Sequence, residues 1–288
     1  MSHASTTLSD ATRPDTPLPN TAPDAHPAIA EDVHAEIMRR LARAEAEHDV
    51  RILLAVESGS RAWGFASPNS DYDVRFIYAH PARWYQAVDL EERRDVIEYG
   101  ITDDIDLNGW DLRKALRLFW KSNPAFVEWI QSPIRYIERG GFAEVARALL
   151  PAAYSVESGM YHYRSMAKNT ERAYLRGDQV SLKKYFYALR PLLSVRWLER
   201  YGRAAPIEFE CLLHLIDDRP QLLADIHDLL ARKREAPETW VGDAVPSIGR
   251  FVVEELERLE AMQPQVERHA SALPGLNALF HRVLDETP

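Results

Sequence analysis

Apolar residues recur at helical spacing between Glu31 and Asp49, where Val33, Ile37, Leu41 and Ala44 fall on one face, so an amphipathic helix is expected there. The next run, Arg51 to Val56, is short, apolar and partly β-branched, and suits a buried strand. A glycine-containing loop follows. Tyr72 to Tyr78 then alternates large apolar and polar positions as a second strand would. Asp95 to Ile101 and Asp104 to Trp110 read as two further strands, with Gly100 and Asp103 marking a tight turn between them. After Trp110 the period changes from two to about 3.6. Asp111 is the expected N-cap of a helix reaching about Lys121, and Pro124 opens another that stops before Ser132-Pro133. From Tyr154 onward the pattern is helical almost throughout, with breaks near Gly177-Asp178, Gly202, Pro220, Gly242 to Pro246, Pro264 and Pro274. Pro191 lies inside a helical run and should kink it or end it locally.

The architecture implied is α+β. A small sheet-bearing catalytic domain is expected over 30–150, followed by an all-helical substrate-binding domain over 151–288. Residues 1–29 mix Ser, Thr, Pro, Ala, Asp and His with few large apolar side chains, and are expected to form a disordered tail.

Composition narrows the class without changing this outline. The chain has 288 residues, 46% hydrophobic, enough for one large or two modest cores. No apolar run reaches the roughly 18 residues that span a bilayer, and no basic-then-apolar start signals secretion. Cys211 is the single cysteine, so an internal disulfide or a multi-cysteine zinc site is excluded. A cytoplasmic protein without membrane partners is expected. The net charge of −9 argues against a general nucleic-acid coat protein but leaves room for a local basic site.

The chemistry concentrates in Glu57 to Arg75. A strand ends at Gly59-Ser60, ten residues follow, and the next strand opens with Asp71-Tyr72-Asp73. Strand parity turns Asp71 and Asp73 to one face, where two carboxylates can hold hard cations through oxygen. Gly59 allows close backbone approach to phosphate, and Ser60 adds donors. An Asp-x-Asp alone is more often a solvated loop. Here Tyr72, Val74 and Phe76 supply a buried face that sets the aspartates on the other. In Asp103 to Asn108, Ile105 and Leu107 take the buried face and leave Asp104 and Asp106 opposite. Asp106 is favoured as the third carboxylate, with Asp104 its competitor.

These residues, with the wider wording SGSRAWGFASPNSDYDVRFIY, IDLNGWDLRKAL, SNPAFVEWIQSP and LKKYFYALRPLLSVRW, resemble the polymerase-β-type nucleotidyltransferase superfamily. Within it they look like the branch of predicted nucleotidyltransferases associated with RNA ligases in RNA repair. The resemblance covers roughly residues 50 to 215. It implies a palm-like mixed sheet, an NTP donor, and two Mg²⁺ (or Mn²⁺) ions on Asp71, Asp73 and Asp106. It implies that Gly59 and Ser60 hold the triphosphate and that Asp106 helps activate the attacking hydroxyl of an acceptor, an RNA end or another hydroxyl, with an RNA ligase as a candidate partner. The chemistry is self-consistent, since two ions about 4 Å apart can activate the hydroxyl and neutralise pyrophosphate.

A cationic clamp is still needed. Residues 164–203 hold ten Lys or Arg against three acids, +7 within a chain of net −9. Arg164, Lys168, Arg172 and Arg176 step by four, so they are expected to form one stripe. Tyr161, Tyr163, Tyr174, Tyr185 and Tyr187 interleave with the cations and could stack on bases, although many will be core. Lys168, Lys183 and Lys184 are the candidates for triphosphate or acceptor phosphate, with Arg61 a further phosphate or base contact. Gly59 to Gly64 has Walker A spacing, but Phe65-Ala66 replaces the required Lys-Ser/Thr. Two other functions use the same residues: a non-catalytic nucleotide- or RNA-binding regulator, and an antitoxin-like enzyme that modifies a partner protein.

Overall fold

The computed structural model describes residues 29–235, 240–261 and 270–287. All but the last residue of the tail expected over 1–29 lies outside them. Five strands, β1 (Arg51–Glu57), β2 (Tyr72–Ala79), β3 (Val96–Glu98), β4 (Ile105–Asp111) and β5 (Arg135–Glu138), form one sheet in the order β3-β4-β2-β1-β5. Only β2 and β4 run parallel; the other pairs are antiparallel, so the sheet is mixed.

Strand parity divides the sheet into two faces. Val74, Phe76, Tyr78, Ile105 and Leu107 bury against Ile37, Leu41 and Ala44 of α1 (Glu31–His48). Leu54, Val56, Ile77 and Ala79 meet the opposite layer: α3 (Leu112–Trp120), α4 (Pro124–Gln131) and α5 (Phe142–Ala153). A single turn, α2 (Gly59–Ala62), links β1 to the loop before β2. Asp111 caps α3 by accepting from the Arg113 and Lys114 amides, and Asn123 caps α4 ahead of Pro124.

The helical half packs α6 (Val156–Tyr174), α7 (Leu182–Tyr201), α8 (Pro220–Glu235) and α9 (Pro246–Glu260) around a separate core. It departs from an all-helical arrangement at one point. Strands β6 (Gln179–Ser181) and β7 (Val241–Asp243) pair as a small antiparallel sheet. Three residues per strand are too few to show a period. Helix α7 runs through Pro191 without ending, held by its neighbours Leu189, Leu192, Leu193 and Val195, all fully buried. Residues 150 and 151 both lie within α5, and α10 (Leu273–Asp285) returns to pack Leu276, Leu279 and Val283 into the core beside the sheet. Among the described residues no helix is long and apolar enough to cross a membrane.

Candidate active site

The chain leaves β1 at Glu57, and the Ser58 amide donates to the Asp73 carbonyl at 2.9 Å. Gly59 follows with φ of +60°, and a Cβ there would meet Asp73 Oδ2 at 2.0 Å. Glycine is required on both counts: the left-handed backbone and the carboxylate lying directly on it. Ser60 and Arg61 are buried in the turn that follows.

Asp73 and Asp106 are register partners on the parallel strands β2 and β4. Arg75, two residues along the same face, donates from Nη2 to Asp73 Oδ1 at 3.1 Å and to Asp106 Oδ2 at 2.7 Å. Its Nη1 is anchored on the Asp106 carbonyl at 2.8 Å. Asn108 Nδ2 donates to Asp106 Oδ1 at 2.6 Å. Asp106 is thus oriented through both oxygens, and a fixed cation offsets the repulsion between two adjacent carboxylates. Asp104 instead sits in the turn at φ +58°, with its carbonyl accepting from the Tyr72 amide at 2.7 Å. Asp71 immediately precedes β2 and is exposed.

Four residues around this site escaped the sequence reading. Glu57 is fully buried: Oε1 accepts from the Asp73 amide at 2.9 Å and Oε2 from the Tyr136 hydroxyl at 2.6 Å. Burial pushes its carboxyl up to about 7, against the opposing pull of those two hydrogen bonds. A charged residue ending an apolar strand was the available signal. Arg75 and Asn108 share the parity of Asp73 and Asp106, which was legible. Lys233 had none: it lies 166 residues from Ser67, whose hydroxyl accepts from Lys233 Nζ at 2.6 Å and donates to the Lys233 carbonyl at 2.8 Å.

The proposed cations are distributed differently from the stripe expected. Lys168 pairs with Glu260 at 2.9 Å. Arg176 falls beyond the end of α6 and pairs with Glu171. Arg190 is buried against Glu128 at 2.9 Å, and Arg196 pairs with Glu255 at 2.6 Å. Three of these cations, Lys168, Arg190 and Arg196, are therefore matched by acids from outside residues 164–203. Arg61 donates to the carbonyls of Ser70 (2.7 Å) and Asp71 (3.2 Å) and lies over the Tyr72 ring. That geometry holds the loop before Asp71. Lys183 and Lys184 open α7. Lys183 shares a helix face with Phe186, Tyr187 and Arg190, the residues that pack on Trp63 and Phe65 just after the Gly59 turn. Tyr163 and Tyr185 are core, whereas Tyr161, Tyr174 and Tyr187 are exposed.

Asp71, Asp73 and Asp106 are carboxylates, the oxygen donors that Mg²⁺ or Mn²⁺ prefers, so in chemistry alone they suit such ions. As they stand, no three His, Cys, Asp or Glu side chains among the described residues are gathered closely enough to hold one.

A model of the RNA repair pathway DNA polymerase beta family matches residues 33–282. An uncharacterized protein of Bacillus subtilis (strain 168), YcgL, is 43% identical over 251 residues, covering 87% of this chain and 96% of that protein. Among solved structures, a nucleotidyltransferase-like protein from Exiguobacterium sibiricum aligns at 14% identity and a TM-score of 0.28, over 88% of this chain and 80% of that one.

Proposed function

The chain belongs to the RNA repair pathway DNA polymerase beta family, and on that footing we propose that it transfers a nucleoside monophosphate from an NTP to a hydroxyl acceptor, an RNA end. One observation carries the reading. Asp73 lies against the Gly59 backbone and is paired in register with Asp106, so a phosphate-approaching turn and two carboxylates converge at one sheet end.

In the proposed reaction the acceptor oxygen attacks the α-phosphorus, the α–β phosphoanhydride bond breaks, and pyrophosphate leaves. Two Mg²⁺ or Mn²⁺ ions held by Asp71, Asp73 and Asp106 would, when bound, supply Lewis acidity to the hydroxyl and the leaving group. Asp106 takes the hydroxyl proton, using a lone pair not engaged by Arg75 or Asn108. Gly59 and Ser60 receive the triphosphate, with Lys183 a candidate counter-charge from the helical half. We propose that residues 30–150 do the chemistry and 151–288 hold the substrate. An RNA ligase acting on the same ends would be the functional partner, and NTP use with a single cysteine suits the cytoplasm.

The test is transfer of label from each α-³²P-labelled NTP to RNA with Mg²⁺ or Mn²⁺. Asp71→Ala and Asp106→Ala should each abolish it while the fold is kept. Label on a co-purified protein would move the acceptor from RNA to protein. If the folded wild-type chain labels no acceptor class, the reading is wrong.

A further inference from the structure

Cations and rings alternate outward from the Gly59 turn. At the inner end, the Arg190 guanidinium lies over the Trp63 ring, 4.4 Å from its centroid. Trp63, which ends the Gly59–Ala62 turn, meets Tyr187 edge-on at 5.5 Å. Next comes Lys184, its Nζ 5.4 Å from the Tyr187 ring and 3.8 Å from that of Tyr174. Arg190 is 2% exposed, whereas Tyr187 is 37% and Tyr174 51% exposed, with Lys184 partly buried between them. The inner members are packing. The outer three face solvent on the α6–α7 pair, a few residues from the proposed phosphate turn.

We infer that Tyr187, Lys184 and Tyr174 form the docking platform for the single-stranded end of the acceptor polynucleotide. This rests on the nucleotidyltransferase reading and names the surface that takes its acceptor. A polynucleotide alternates flat bases with phosphates, and the platform alternates rings with an ammonium. Two exposed rings on either side of a cation offer more than the one base of an NTP requires, which favours the acceptor over the donor. Stacking on rings tolerates any base, so the platform selects single-strandedness rather than sequence. Lys184 suits this use because its ammonium lies on ring faces, whereas Lys168 and Arg176 on the neighbouring stripe already bind carboxylates.

The experiment is fluorescence anisotropy of fluorescein-labelled oligoadenylate and oligouridylate, each about ten nucleotides long, with the full chain. A fully paired hairpin serves as control. Wild type should bind both single strands and bind the hairpin more weakly. Tyr174→Ala and Tyr187→Ala should each weaken single-strand binding by about ten-fold, and the Phe variants should restore it. Lys184→Gln should reduce the salt dependence by the equivalent of about one phosphate. ATP–Mg²⁺ affinity by calorimetry should be unchanged in the Tyr174 and Tyr187 variants. The inference is overturned if wild type binds neither oligonucleotide, or if the alanine variants bind them like wild type. It is also overturned if those variants lose ATP instead, which would assign the rings to the donor base. Binding needs no turnover, so an intact platform on a chain that labels nothing would end the catalytic reading alone.

Discussion

Asp73 is enclosed by Gly59 on one oxygen and Arg75 on the other, and that enclosure fixes what nearby substitutions do. Gly59→Ala meets two penalties at once. A non-glycine residue in the left-handed region costs about 1–2 kcal/mol, and its Cβ would overlap Asp73 Oδ2. The carboxylate must move by an ångström or more, a displacement that can cost on the order of 10²-fold in rate. Transfer assays should therefore show a far larger loss than thermal melts do; a fully active Gly59→Ala would refute the placement. Glu57 makes a separate pH prediction. Its folded carboxyl titrates at about 7 against 4.5 for the ordinary group. Between those values the folded chain holds a proton that the unfolded chain has lost, so stability falls as pH rises through this window and levels off above it. The span corresponds to about 3 kcal/mol. Glu57→Gln should lack this slope. Denaturant unfolding at pH 5 and pH 8 checks it, and parallel pH profiles for the two proteins would count against the buried acid.

The loop between α2 and β2 is held by elements distant in sequence. Ser67 and Ser70 bond each other, Arg61 takes the Ser70 and Asp71 carbonyls, and α8 reaches in with Lys233 on Ser67 and Arg234 on the Gly64 carbonyl. Lys233 is 1% exposed, a burial lysine rarely tolerates without a structural task. Lys233→Ala would open a cavity and leave the Ser67 hydroxyl without its donor, at about 2–4 kcal/mol. It should also lower turnover, because Asp71 lies four residues beyond Ser67. Chemical denaturation and transfer assays measure the two effects, and unchanged turnover would show that the loop needs no support from α8. This element also shows how far the sequence could be read. Strands β1 to β4, α1, both capped helices and the Asp73–Asp106 face were legible because local periodicity and parity encode them, whereas the four-residue β5 was missed. Arg75 and Asn108 lay within reach of the same parity argument. The Lys233 contact and the β6–β7 pair were not legible, because each joins segments more than 60 residues apart and neither leaves a periodic trace. The basic stripe misled for a related reason: charge spacing along one helix cannot reveal acids supplied by another, such as Glu260 on α9.

Across the whole molecule, two features bind the halves together. Glu128 on α4 and Arg190 on α7 form a buried ion pair at 2.9 Å, and Glu128 also accepts from Trp63 Nε1 at 3.2 Å. Removing one partner strands the other charge in the interior, at about 3–5 kcal/mol. Helix α10 supplies Leu276, Leu279 and Val283 to the core beneath the sheet, each contributing about 1.5–3 kcal/mol by burial. Its end is tied by Arg51 to the Glu286 carbonyl and by Arg282 to the Gly140 carbonyl. A fragment of residues 30–150 would lack α10, lack Arg190 and end inside α5. It should therefore give a broad thermal transition and poorly dispersed amide resonances, and restoring α10 as a separate peptide should not rescue it while Glu128 remains uncompensated. A cooperative melt from the isolated fragment would show that the catalytic half is an autonomous domain. Failure to fold would mean that the segment carrying the proposed phosphate turn is shaped only in the presence of the helices proposed to hold the substrate.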